Sequence, residues 1–195
     1  GTFGQAITLT AAVASTAGAV SGSVTFSDGT ATIGSCTLAT GSCSISLATL
    51  SVGAHSVTAR FLAAGNFASS VSGATAVTIA KAASTTTLTT SAATTTFGAG
   101  TATITVAPST ATGTVTLSDG TVPFGTCALA GGTCTVSLAT LAMGVHSLTA
   151  SYPGDGNTLG SVSATLTQTV TAGFKTSKVQ AFASATSIAV TEIGR

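Results

Sequence analysis

Residues 22–61 and 113–152 are one forty-residue text written twice, 91 positions apart and identical at 23 positions. GSVTFSDG returns as GTVTLSDG, IGSCTLATGSCSISLATL as FGTCALAGGTCTVSLATL, and GAHSVTARF as GVHSLTASY. Such a period is longer than the roughly 20–45 residues of a stacked solenoid unit, and each copy holds a full set of strand signals. The chain is therefore read as two tandem domains of one kind.

Apolar residues alternate at Ile7, Leu9, Ala11 and Val13, at Val24 and Phe26, at Ile45 and Leu47, and at Val57 and Ala59. This is the period of strands buried on one face. Thr fills most positions between them, as suits a β-branched residue on a solvated pleat. Asp28-Gly29 and Asp119-Gly120 sit between such runs, where a hairpin needs positive φ. In the second copy strands are expected at 85–91, 101–107, 113–118, 121–129, 133–138, 145–152 and 163–171. Seven strands in so short a span, with no helical period, predict an all-β fold of two tandem two-sheet sandwiches. The expected division is 1–82 for the first, lacking its N-terminal strand, 83–172 for the second, and 173–195 for a strand-forming tail.

Charged residues make up 5% of the chain, against roughly a quarter in ordinary soluble domains. With net charge +1 and five scattered basic residues, there is no footprint for nucleic acid. The mean hydropathy is +0.64, yet it comes from Ala and Val broken up by Ser and Thr. No run approaches the ~20 apolar residues of a membrane span. Because the first residue is Gly, a start residue and any secretion signal are expected to lie outside this text, by maturation or truncation.

The succession TFGQAITLTA, GSVTFSDG, TIGSCTL, LATLSVGAHSVTA and SYPGDGNTLGSVSATLTQTV resembles the bacterial immunoglobulin-like repeat domains found in tandem in secreted and cell-surface proteins. The resemblance covers residues 1–172. It implies an extracellular, non-catalytic module, of the kind that serves as stalk, adhesin module, filament unit or spacer. The copies differ at one family turn: SYPGDGN in the second stands against RFLAAGN in the first, which has no Asp.

Four cysteines form two C-x6-C pairs, Cys36 with Cys43 and Cys127 with Cys134, each bracketing a turn. An even, symmetric set in a secreted chain reads as two local disulfides, with the sulfurs opposed on adjacent strands. A metal reading would enlist His55 or His146 and still reach only three ligands per copy, so no metal and no cofactor are expected.

His55 and His146 recur after a Gly corner and are read as strand-edge histidines bonded to a nearby carbonyl. Nucleophilic catalysis would need an orienting acid and a nucleophile as well. The acids are Asp28, Asp119, Asp155 and Glu192. The first two are assigned to turns, which leaves no pair for hydrolysis. Asp155 and Asn157 together offer too few oxygens for Ca²⁺. Gly98 and Gly100 precede a strand, not a helix, and lack a phosphate-loop lysine.

The termini carry the sharper expectation. The second copy opens with a strand at 85–91 that has no counterpart before GTFGQ, so an edge beside Ile7, Leu9 and Ala11 is left open. At the other end, FKTSKVQAFASATSIAVTEIGR runs past the last strand. Within it Val179, Ala181 and Ala183 alternate in one candidate strand, and Ile188 and Val190 in a second. The expected function is an extracellular structural subunit whose tail supplies the missing strand to the next copy, giving a head-to-tail homopolymer. The alternative is a piece of an adhesin or surface-protein stalk, with a surface or glycan target unspecified.

Overall fold

The computed structural model describes residues 1–173 together with the strand segments 182–184 and 187–189. It forms two compact units: residues 1–85 with segments 110–113 and 153–161, and residues 86–109, 114–152 and 162 onward. All regular structure among the described residues is β.

The first repeat contains β1 (Ile7–Ala12), β2 (Ser23–Asp28), β3 (Ala31–Thr37), β4 (Ser42–Leu47), β5 (Gly53–Phe61), β6 (Ser70–Val71) and β7 (Thr75–Ile79). The second contains β8 (Thr85–Thr90), β9 (Thr94–Thr96), β10 (Thr101–Ala107), β11 (Thr114–Asp119), β12 (Val122–Ala128), β13 (Thr133–Ser137), β14 (Gly144–Gly154), β15 (Leu159–Val162) and β16 (Leu166–Thr171). The seven strands expected from alternation in the second copy are all present. Two short ones, β9 and β15, were not foreseen.

Each repeat is a pair of sheets. In the second, β13-β10-β8 faces β12-β11-β14-β16-β9, with β15 beside β14. In the first, β1-β4 faces β3-β2-β5, to which β6 and β7 add. Period-two alternation places Val24, Phe26, Val57 and Phe61 inside the first sandwich and Val115, Leu117, Leu148 and Tyr152 inside the second.

The turn chemistry repeats with one exception. Gly29 and Gly120 follow the last residue of β2 and β11 at φ 56° and 57°, so each Asp closes a strand and Gly enters the tight turn. Between the cysteines the two-residue turns are Thr40-Gly41 and Gly131-Gly132, all four residues at positive φ. Thr40, at φ 54°, holds a conformation that its branched Cβ disfavours.

Candidate functional site

Along β1 the three expected acceptor residues line up on the inner face: Ala11 is buried, and Ile7 and Leu9 are half-buried. One edge of β1 pairs with β4, from Ile7 opposite Leu47 to Ala12 opposite Ser42. No described strand lies along the other edge. There a groove of about 500 Å³ opens between β1 and the facing sheet. Its floor is Val24, Phe26, Val57 and Phe61, and Ser70, Val71 and Thr75 form its far side.

The second repeat shows how such a space is filled. Its β10 is flanked on both edges, by β13 and by β8. Ala102, Ile104 and Val106 are consequently no more than 1% exposed, whereas Leu9 and Val13 remain half-buried. The shorter first piece of the fold is retained in both repeats. Thr2 bridges Ala80 in parallel, as β9 does Thr169–Thr171 of β16. What the first repeat lacks among its described residues is the counterpart of β8.

Of the expected donor residues, Val179, Ala181 and Val190 lie outside the described residues. Ala183 and Ile188 fall on β17 (Phe182–Ser184) and β18 (Ser187–Ala189), which pair antiparallel with Ala183 opposite Ile188. This two-stranded sheet shares no strand pairing with either sandwich.

Both disulfides form, with Cα–Cα distances of 5.9 Å and 5.8 Å. Their setting corrects the expected hairpin. Cys36 lies on β3 and Cys43 on β4, in different sheets. Only the turn itself pairs, at Ala39 with Ser42. Each bond therefore ties one sheet to the other where the chain crosses between them, and the same holds for Cys127 on β12 and Cys134 on β13.

The histidines carry a partner that sequence reading missed. His55 Nδ1–H donates to Asp28 Oδ2 at 2.7 Å, while Nε2–H donates to the Ser51 carbonyl at 2.9 Å. The second repeat matches: His146 donates to Asp119 at 2.7 Å and to the Ala142 carbonyl at 2.8 Å. Asp28 also accepts the Ser56 N–H, and Asp119 that of Ser147. Carboxylate and carbonyl are both acceptors, so only the doubly protonated ring satisfies both contacts. The hydrogen bond from Asp28, then that of Ser51, holds the His55 pKa above its ordinary value, and Asp119 does the same for His146. In return the His55 hydrogen bond lowers that of Asp28. With Nε2 occupied, neither ring offers a lone pair to a hydroxyl, which removes the base that a catalytic triad requires.

Asp155 is committed as well. Its carboxylate accepts from the N–H and hydroxyl of Thr112 and from the N–H groups of Asn157 and Thr158. Burial would raise its pKa, but these donors outweigh it and hold the group well below the usual carboxylate range. No cluster of three or more His, Cys, Asp or Glu suited to a metal occurs among the described residues. Nor is any helix among them long and apolar enough to cross a membrane.

The family model described as bacterial Ig-like domain (group 3) matches residues 1–80 and again residues 83–171. The chain belongs to this bacterial Ig-like family. Among solved structures, this family member is similar to the fibronectin(III)-like modules of Clostridium thermocellum CbhA, with 19% identity, 87% of this chain and 86% of that one covered, and a TM-score of 0.34. It is also similar to the mouse nectin-like molecule 4 ectodomain, with 12% identity, 91% and 63% covered, and a TM-score of 0.35. A comparison with curated proteins found no match.

Proposed function

We propose that this bacterial Ig-like chain is a non-catalytic, extracellular structural subunit. Copies join head to tail when the C-terminal segment of one enters the open edge of the first repeat of the next. The observation that carries this reading is the groove beside β1, whose equivalent in the second repeat is closed by β8. Support comes also from β17 and β18, strands that pair with no strand of either sandwich, and from the scarcity of charges to guard the edge. Burying two branched side chains at about 1.5–3 kcal/mol each, with a new row of ladder hydrogen bonds, is enough to sustain association at modest concentration. The two disulfides fit an oxidising compartment outside the cytosol.

The test is deletion of residues 174–195, with full and truncated chains compared by size-exclusion chromatography and electron microscopy. The full chain is expected to form fibres and the truncated one to stay monomeric. Unchanged fibres after truncation, or a full chain that remains monomeric at high concentration, overturn the reading. The stalk alternative draws on the two consecutive family matches with only residues 81 and 82 between them, and it predicts a monomer.

A further inference from the structure

The second repeat supplies a template for the entering strand, down to its register. In β8, Thr87 Oγ1 donates to the Thr105 carbonyl and Thr89 Oγ1 to that of Thr103, while the Ser91 N–H donates to that of Thr101. These pairs step in opposite directions, so β8 runs antiparallel to β10. Thr86 then lies beside Val106, Leu88 beside Ile104 and Thr90 beside Ala102. Burial agrees, with Thr86 buried, Leu88 and Thr90 half-buried, and the intervening residues exposed.

The disulfide strands transfer this register to the first repeat. Ile104 pairs with Cys134 as Ala11 pairs with Cys43. Val106 donates to the Gly132 carbonyl as Val13 does to that of Gly41. A strand filling the groove must therefore present three inward side chains, beside Val13, Ala11 and Leu9 in turn, of the kind Thr-x-Leu-x-Thr.

We infer that the occupant is residues 185–191 of a second copy, with Thr186 beside Val13, Ile188 beside Ala11 and Val190 beside Leu9. This rests on the strand-donation reading above and selects one of its two candidate segments. The sequence ATSIAVT repeats the β8 pattern TTTLTTS in its inward Thr, its central branched aliphatic residue and its hydroxyls at the third and last positions. Thr186 and Val190 are placed by this alternation alone. The rival set, Val179, Ala181 and Ala183, offers two alanines to a groove of about 500 Å³ and leaves it underfilled. The backbone of β18 is already extended, with one edge on β17 and no described strand on the other.

In this register Ala189 stands opposite Thr10, on the face away from the native cysteines. Full chains carrying Thr10→Cys are mixed with full chains carrying Ala189→Cys or Phe182→Cys, the position that stands opposite Thr10 if Val179, Ala181 and Ala183 point inward, then oxidised and resolved by non-reducing electrophoresis. Position 189 is expected to give at least tenfold more intercopy disulfide than position 182. Equal or greater crosslinking from 182 overturns this inference and leaves strand donation standing. Fibres that form with no crosslink from either position overturn both. Should the cysteine variants fold poorly, Ile188→Asp and Ala181→Asp serve in otherwise native chains. Ile188→Asp is expected to abolish assembly and Ala181→Asp to keep it, and the reverse result overturns the inference.

Discussion

The two repeats are built from nearly the same text and differ most at one edge. In the second, β8 closes the sheet and the inner face of β10 is sealed from water. In the first, β1 carries a similar inner face with β4 on one edge and no described strand on the other, and a groove results. Alternation along a strand thus decides which side chains point inward, but whether they are buried depends on a neighbouring strand contributed from elsewhere in the sequence. The comparison separates a property of the strand from a property of the sheet.

The largest effect that would break this contrast lies at the matched positions Ile104 and Ala11. Ile104→Ala should cost the second repeat about 2–5 kcal/mol, because a fully buried side chain is removed from a closed core. Ala11→Ile should leave the first repeat within about 1 kcal/mol of its starting stability, since the added atoms enter the groove that Ala11 lines. Denaturant unfolding of the variants measures both. Comparable losses at the two positions would mean that the first repeat is as closed as the second.

A smaller effect is expected at the cysteine-bracketed turn. Thr40→Gly copies the Gly131 of the second repeat and relieves a branched residue at φ 54°. It should raise the stability of the first repeat by about 1 kcal/mol. A neutral or lower midpoint would show that the Thr40 hydroxyl, which donates to the Ala39 carbonyl at 2.7 Å, repays the strain.

The smallest effect sharpens what the repeats share. Because the folded state raises the pKa of both histidines, their contribution is complete below about 6.5, the unfolded value. It fades as pH rises through the higher folded values. Asp28, held low by His55, adds stability above 3.8 that is lost as pH falls through its lower folded value. The clip of the first repeat is thus strongest between 3.8 and 6.5. Melting temperatures should decline as pH rises above about 6.5, and His55→Gln with His146→Gln should flatten that slope while leaving assembly intact. An unchanged slope in the double variant would remove the histidines from the account, and loss of a turnover on substitution would overturn the non-catalytic reading.

Much of this was legible in the sequence, and the remainder was hidden for a common reason. Alternation marked β1, β2, β5 and the seven long strands of the second repeat, and symmetric spacing paired the cysteines. The Asp28–His55 clip joins residues 27 apart on strands β2 and β5, which are neighbours only once the sheet order is known. Spacing alone likewise presents C-x6-C as a hairpin pair, when the chain is in fact changing sheets between the two cysteines. Gln168 is fully buried, donating to the Thr95 hydroxyl, at the place where the first repeat has Val77. Nothing local to a Thr-rich strand announces a buried amide. In each case the missing information was which strands become neighbours, a choice made across long stretches of chain.

The bond between Cys36 and Cys43 has a mechanical consequence. A pull along the chain that peels the two sheets apart leaves them joined at this point, because the bond spans the passage from β3 to β4. The seven-residue separation it closes is also withheld from extension, which shortens the fully drawn chain by about 20 Å for each bond. A repeat stretched in this way keeps an internal stop in its extension, and its separated sheets remain tethered near the positions they occupy at rest.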